Sequence, residues 1–248
     1  METVKKTFLL LLILAIVLAV AGCTEPVPQG SATSVQTEPT TAQTRPTEES
    51  SAPTEELKPP AIEPEDDDFV RILDYIPQAR QALPYATADN FTEQVIYRFK
   101  DAYLRYGTVK KLAAVAQELE EQGLGLLIWD GYRPVYAQAE LFEACPNPTY
   151  VSPPGVGNQN HCRGRAVDLT LVNLETGEEL EMPTGFDDFS AHADRNYSDV
   201  SDTAAANARI LEEVMTKHGF KGYSKEWWHY NDTDSYPIEE QFDPAAVN

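Results

Sequence analysis

Residues 160–174, Asn-His-Cys-Arg-Gly-Arg-Ala-Val-Asp-Leu-Thr-Leu-Val-Asn-Leu, join a polar segment to an apolar run. The part from Arg165 to Leu174 predicts a strand, with Ala-Val-Asp-Leu-Thr-Leu-Val at its centre. Because side chains alternate along a strand, Asp168 points away from the face that carries Val167 and Leu169. A carboxylate buried there without a partner is costly, so Asp168 requires a cation or strong donors.

The elements around this strand mix helices and strands without a regular βαβ alternation. The patterns predict helices over 108–122, 134–143 and 203–218, strands over 124–130 and 180–182, and a strand or turn over 226–230. This mixture indicates an α+β fold. We expect one compact domain with a central, mostly antiparallel sheet and flanking helices.

The N-terminal region has the features of a targeting segment. Two lysines precede an uncharged apolar run from Phe8 to Ala21. The run falls short of the roughly 20 residues that a membrane span needs, but it suits a signal peptide. It ends in Ala21-Gly22-Cys23, which resembles a bacterial lipobox. We predict a lipoprotein signal peptide over residues 1–22 and a lipid on Cys23; an ordinary signal peptide or an uncleaved anchor is the alternative.

The following segment, residues 23–68, is rich in Thr, Pro, Ser, Glu and Gln and has almost no large apolar residues. Such a composition cannot bury enough surface to offset the entropy of ordering, so we predict a disordered tether. The globular domain is predicted over residues 69–248. This organisation places the domain outside the cytoplasm, anchored by lipid to the bacterial cell membrane.

Charge and cysteine content narrow the possible partners. The formal net charge of -21 repels phosphate backbones and anionic lipid heads, so nucleic acid is not expected, and the membrane is expected only through the lipid anchor. Cys145 and Cys162 could form a disulfide in an oxidising compartment or remain separate thiols.

Histidine is scarce, and all four histidines follow residue 160. His161, Asp168 and His229 together provide two imidazoles and one carboxylate, a suitable ligand set for a catalytic zinc ion with an open fourth position. Cys162 is disfavoured as a ligand, because neighbours in an extended segment point apart. The alternative is a structural or metal-free polar cluster.

Two further side chains could assist chemistry at such a site. Glu226 could act as the base, although it precedes His229 by three residues and would face away in a flat strand, so an irregular strand or turn is required. Otherwise it is a surface residue. Arg133 follows a predicted strand in Asp130-Gly131-Tyr132-Arg133-Pro134 and could stabilise an oxyanion. Alternatively, Asp130 and Arg133 pair with each other in a turn.

Five blocks of the sequence, in register, resemble the VanX-type D-alanyl-D-alanine dipeptidases. They are Tyr85–Thr92, Leu-Leu-Ile-Trp-Asp-Gly-Tyr-Arg-Pro at 126–134, His-x-x-Gly-x-Ala-x-Asp at 161–168, Phe186-Asp187, and Glu-Trp-Trp-His-Tyr at 226–230. The resemblance covers about residues 69–248. One departure is Gln159, at a position where the family usually has serine.

The resemblance implies one zinc ion per chain, held by His161, Asp168 and His229. It also implies that Glu226 is the base, that Arg133 stabilises the transition state, and that Asp187 and Tyr85 position the substrate, with Asp187 at its free amine.

The implied activity is zinc-dependent hydrolysis of the D-alanyl-D-alanine dipeptide in cell-wall metabolism. The alternatives are a D,D-carboxypeptidase that trims the terminal D-Ala of wall stem peptides, and a non-catalytic wall-binding lipoprotein.

Overall fold

A computed structural model describes residues 63–247 of the chain. The predicted signal peptide, the lipidation site Cys23 and residues 24–62 of the predicted tether lie outside the described residues. Residues 63–68 lie against the domain, because the carbonyls of Asp66 and Asp68 accept hydrogen bonds from the amides of Gly107 and Tyr106. The structured region thus includes residues upstream of the predicted boundary at Phe69.

The centre of the domain is a five-stranded sheet in the order β2-β4-β5-β7-β6. Its strands are β2 (Arg80–Gln81), β4 (Leu124–Asp130), β5 (Ala166–Asn173), β6 (Phe220–Tyr223) and β7 (Glu226–Asp232). The pairs β4–β5, β5–β7 and β6–β7 are antiparallel, and only β2–β4 is parallel. The predicted α+β fold with a mostly antiparallel sheet is confirmed.

The remaining elements surround this sheet. They are β1 (Phe69–Arg71), β3 (Tyr103–Arg105), α1 (Ile72–Tyr75), α2 (Tyr106–Glu120), α3 (Val135–Ala144) and α4 (Asp202–Lys217). Strands β1 and β3 form a separate antiparallel pair. Helices α2 and α4 pack on each other and on the central sheet. None of the helices in residues 63–247 is long and apolar enough to span a membrane.

The two long helices follow the predicted apolar spacing. In α2, Val109, Leu112 and Leu119 are fully buried, and the chain turns at Gly123, whose φ of 73° is readily adopted only by glycine. Helix α4 begins at a serine cap: the Oγ of Ser201 accepts a hydrogen bond of 3.0 Å from the amide of Ala204.

The predicted strand over residues 180–182 is reduced to a single bridge between Val172 and Glu179. The amide of Leu180 still donates to the carbonyl of Leu171, but the pairing goes no further. Pro183 follows directly, and it has no amide hydrogen and restricts the residue before it, so the ladder cannot continue. Cys145 and Cys162, which the sequence allowed either as a disulfide or as separate thiols, are separate thiols.

The strand register determines where polar side chains meet. Asp130 of β4 lies opposite Asp168 of β5, and Asp168 lies opposite His229 of β7. Residues directly opposite each other on antiparallel strands share one face of the sheet. Three neighbouring strands therefore bring one polar residue each to the same place.

Candidate active site and metal centre

The three predicted metal ligands converge in the structure. One donor atom from each of His161, Asp168 and His229 lies within 4.8 Å of the other two. The Nε2 of His161 is 3.2 Å from the Nδ1 of His229 and 3.3 Å from an oxygen of Asp168. The Nδ1 of His229 is 2.9 Å from the other Asp168 oxygen. A tetrahedral ion with bonds of about 2.1 Å holds its donors about 3.4 Å apart, so these spacings suit zinc.

The outer nitrogen of each ring faces an oxygen acceptor. The Nδ1 of His161 is 2.7 Å from the carbonyl of Gly131, and the Nε2 of His229 is 3.0 Å from the Oδ1 of Asn231. These partners assign the ring hydrogens to the outer nitrogens. The two inner nitrogens then direct lone pairs at each other and at a carboxylate, an arrangement that a bound cation stabilises. The three side chains therefore fit a zinc ion.

The close contacts among Asp168, His161 and His229 shift the pKa values of Asp168 and His161. Burial raises the pKa of Asp168. In the absence of metal, the charge and hydrogen bonds that His161 and His229 supply once their inner nitrogens are protonated outweigh burial and hold that pKa well below its usual range. Burial lowers the pKa of His161, and the charge of Asp168 more than offsets this, so that its pKa is raised. Asp168 is thus the anionic centre around which the two rings are arranged.

Glu226 lies beside the metal ligands in spite of its position in the sequence. One of its carboxylate oxygens is 3.8 Å from the Nδ1 of His229, and its side chain is 11% exposed. The register between β6 and β7 shifts next to Glu226, so β7 is the irregular strand that the sequence required. Burial raises the pKa of Glu226 to about 7, a value suited to exchanging protons near neutral pH.

Arg133 both pairs with Asp130 and lines the pocket. Its Nε and Nη2 donate to one Asp130 oxygen over 3.0 and 2.7 Å, and its Nη1 donates to the side chain of Gln138 over 3.1 Å. Tyr97 donates to the second Asp130 oxygen, over 2.5 Å. The pairing of Arg133 with Asp130 that the sequence offered as an alternative is present, and it holds the guanidinium at the wall of the pocket.

Asp187 and Tyr85 form a second polar pair in the same pocket. The hydroxyl of Tyr85 donates to Asp187 over 2.6 Å. Burial raises the pKa of Asp187 to about 7, even though the Tyr85 hydrogen bond lowers it. The backbone of Asp187 has a φ of 56°, in the left-handed region that non-glycine residues adopt rarely. Such strain is often found where a side chain must be aimed at a ligand.

All of these groups open on one cavity of about 260 Å³. Its lining includes the metal ligands, Glu226, Arg133, Asp187 and Tyr85, and residues of the loop between α3 and β5. From that loop, the ring of Tyr150 stacks on Phe189 with ring centres 4.5 Å apart, and the carbonyl of Thr149 accepts a hydrogen bond from Tyr223. The loop thus bridges the cavity on two sides.

Sequence reasoning did not identify three residues that support the site: Asn231, Gln138 and Tyr97. Asn231 follows His229 by two residues on a strand, and this alternation could have placed both on one face. Gln138 lies only five residues after Arg133, in the first turn of α3, so proximity in the sequence was a signal for it. Tyr97 had no such signal, because it reaches Asp130 only through the tertiary fold. Gln159, at the position where the resemblance departs, also lines the cavity with a φ of 41°.

The geometry defines a metal-dependent hydrolase site, in which a three-ligand centre, a buried carboxylate and a fixed guanidinium share one pocket. Comparison with known proteins agrees. Residues 65–247 match the family model described as D-ala-D-ala dipeptidase.

Three relatives, each named D-alanyl-D-alanine dipeptidase, align over most of their own length. The protein of Escherichia coli K12 is 40% identical over 164 residues, 65% of this chain and 84% of the relative. The protein of Streptomyces coelicolor is 35% identical over 194 residues, which cover 66% of this chain and 90% of the relative. The protein of Enterococcus faecium is 33% identical over 165 residues, which cover 59% of this chain and 82% of the relative.

The chain belongs to the D-Ala-D-Ala dipeptidase family, and it is therefore a metallopeptidase. This membership confirms the resemblance found in the sequence.

Proposed function

We propose that the chain hydrolyses the dipeptide D-alanyl-D-alanine with one zinc ion held by His161, Asp168 and His229. The family match and the names of the three relatives support the reaction and the substrate. The observation that carries the proposal is the opening of Glu226 and Asp187 on the same small cavity as the three metal ligands.

Each side chain then has a definite role. A zinc ion, when bound, polarises the scissile carbonyl and lowers the pKa of water. Glu226 takes the proton from the attacking water and delivers it to the leaving amine, because its carboxylate lies beside the ligands and its pKa is raised to about 7. Arg133 donates to the oxyanion that develops on the attacked carbonyl, and Asp130 and Gln138 hold it in place.

Asp187 recognises the free amine of the substrate. A carboxylate in the wall of a small cavity binds an ammonium group strongly, and this contact favours a substrate that ends in a free amine at that point. The volume of about 260 Å³ lies below the range of roughly 300–1,000 Å³ typical of sites for drug-sized ligands. Phe189 follows Asp187 by two residues, and its ring stacks on that of Tyr150. Both rings line this cavity.

The alternative D,D-carboxypeptidase needs a pocket that is open on the amine side, so that a stem peptide can extend beyond the terminal pair. The small cavity and the Tyr150–Phe189 stack favour the dipeptide. A non-catalytic wall-binding protein would not require Glu226 and Arg133 beside a complete ligand set.

The test compares release of D-alanine by the zinc-loaded protein from three substrates: D-Ala-D-Ala, N-acetyl-D-Ala-D-Ala and a pentapeptide that ends in D-Ala-D-Ala. The acetylated dipeptide is the control for the free amine, since it replaces the ammonium group with a neutral acetamide and leaves the scissile bond unchanged. We expect cleavage of the free dipeptide and a loss of at least about 100-fold in kcat/KM for the other two, because each would leave the Asp187 carboxylate unpaired. Comparable cleavage of the pentapeptide would assign the chain to the carboxypeptidases.

We further propose that the protein works outside the cytoplasm, anchored to the bacterial membrane by a lipid on Cys23. The charged start, the apolar run and Ala21-Gly22-Cys23 support this anchor, and the composition of residues 24–62 supports a tether. Labelling of growing cells with radioactive palmitate should mark the wild-type protein and fail to mark a Cys23→Ala variant. Label that persists in the variant, or a wild-type protein recovered in the cytoplasm, would contradict the anchor.

A further inference from the structure

The hairpin of β6 and β7 contains an interruption at the site. Gly222 pairs with Tyr230, but the next residue of β6, Tyr223, pairs with Glu226. Residues 227–229 therefore have no partner on β6 and form a bulge. Because of this bulge, Glu226 and His229 reach the same pocket although they are three residues apart on one strand.

A bulge of this kind leaves backbone carbonyls without a strand partner, and Arg195 provides the missing donors. Its Nη2 donates to the carbonyl of Trp227 over 2.9 Å and to that of His229 over 3.0 Å. Its Nε donates to the carbonyl of Tyr223 over 2.9 Å. One guanidinium thus supplies the hydrogen bonds that β6 does not make to the bulged part of β7, the strand that carries Glu226 and His229.

The surroundings of Arg195 hold its side chain in this position. The side chain is only 10% exposed, and its Nη1 lies 3.4 Å from Glu212. The guanidinium carbon lies over the ring of Tyr230, 4.3 Å from the ring centre. A Cβ atom at Gly222 would lie 2.3 Å from that carbon, so the flat group fits only because residue 222 is glycine.

We propose that Arg195 is a positioning residue that fixes the bulge of β7 and thereby sets the separation between Glu226 and His229. It is not among the residues that line the cavity, so it acts on the reaction through the backbone. Lysine cannot take its place, because the contacts to three carbonyls require the planar fork of donors that only arginine has. The proposal rests on the proposed function, since it concerns the same site.

The first test measures zinc affinity by competition with a chelator, together with the melting temperature of the metal-stripped protein. We expect Arg195→Ala and Arg195→Lys to bind zinc about 10- to 100-fold more weakly, the range seen when the support of a metal ligand is removed. Gly222→Ala, which retains the arginine but displaces it, should weaken zinc binding in the same direction.

The matched control is Leu112→Ala, which removes fully buried apolar atoms from α2 and so lowers stability by creating a cavity away from the site. It should lower the melting temperature and leave zinc affinity within about twofold. Zinc binding by Arg195→Ala equal to that of the wild type would overturn the proposal. So would an equal loss of affinity in Leu112→Ala at the same loss of melting temperature.

Chemical rescue provides an independent readout. Guanidinium chloride at low millimolar concentration, far below denaturing levels, should restore part of the zinc affinity of Arg195→Ala and have no effect on Leu112→Ala. An equal response of both variants, or of neither, would contradict the assigned role. Zinc affinity is measured without substrate, so failure of the wild type to cleave D-Ala-D-Ala would refute the proposed function and leave this test intact.

Discussion

Asn231 accepts a hydrogen bond from the outer nitrogen of His229 and so determines which nitrogen faces Asp168. Without this acceptor the ring can turn or adopt the other tautomer, in which the nitrogen that faces Asp168 carries a hydrogen. We expect Asn231→Ala to weaken zinc binding about 10-fold, as measured by chelator competition, with Asn231→Asp closer to the wild type. Wild-type affinity in Asn231→Ala would show that the contact does not orient His229.

Asp187 makes stability without metal dependent on pH. Burial raises its pKa to about 7, whereas an aspartate in the unfolded chain titrates near about 3.9. The folded state therefore retains a proton that the unfolded state has released, so the free energy of unfolding decreases as pH rises from about 4 through 7. The raised pKa values of Glu226 and His161 act in the same direction.

The measurement is the melting temperature of the chelator-treated protein between pH 5 and pH 8. The wild type should melt at progressively lower temperature as pH rises, and Asp187→Asn should show a shallower decrease. The same substitution at the exposed neighbour Asp188 is the control. A decrease as steep in Asp187→Asn as in the wild type would refute this assignment.

At this scale the sequence predicted the polar side chains that the structure brings together at the pocket, but not the residues that support them. Asp168 could be predicted because a carboxylate in an apolar strand needs a cation or strong donors. His161 and His229 could be predicted because histidine is scarce in this chain and is a common zinc ligand. Tyr97 reaches Asp130 from a segment 33 residues away, and no local pattern encodes that approach. Gln138 lies only five residues after Arg133, so its contact was open to prediction from proximity in the sequence. Asn231 was also not predicted, but the alternation of side chains along a strand would have been enough to place it on the same face as His229.

At the scale of elements, α4 depends on a single capping residue. The Oγ of Ser201 accepts a hydrogen bond from the amide of Ala204 and donates one to Glu181. Loss of such a cap costs about 0.5–2 kcal/mol. We expect Ser201→Ala to reduce the free energy of unfolding by about 1 kcal/mol in denaturant titrations and to leave kcat/KM unchanged. No change in stability would mean that solvent satisfies the helix end.

Element boundaries followed the sequence closely where hydrophobic periodicity was strong. The strand predicted over 124–130 coincides with β4, and the helix predicted over 203–218 differs from α4 by one residue at each end. The partner strand at 180–182 did not form, since Pro183 removes a donor just where the ladder would extend. The bulge in β7 is set by Arg195, a residue about thirty positions away, and so lies beyond any local pattern.

At the scale of the whole molecule, residues 63–68 belong to the folded region. The carbonyls of Asp66 and Asp68 accept hydrogen bonds from amides at the start of α2, and Tyr106 donates to Glu63. A fragment that begins at Glu63 should match the full chain in melting temperature and in kcat/KM. A fragment that begins at Phe69 should melt several degrees lower, because those amides lose their acceptors. Equal melting temperatures would show that solvent replaces these contacts.

The role of Glu226 at a zinc centre is tested by measuring zinc content and D-alanine release in the same sample, for the wild type and for Glu226→Gln. The substitution retains the size of the side chain and removes the base, which contributes about 10²- to 10⁴-fold in comparable reactions. We expect one zinc ion per chain in both proteins, and we expect release of D-alanine from D-Ala-D-Ala to fall by at least about 100-fold in the variant. Undiminished release by Glu226→Gln with zinc retained, or no release by the zinc-loaded wild type, would contradict this role.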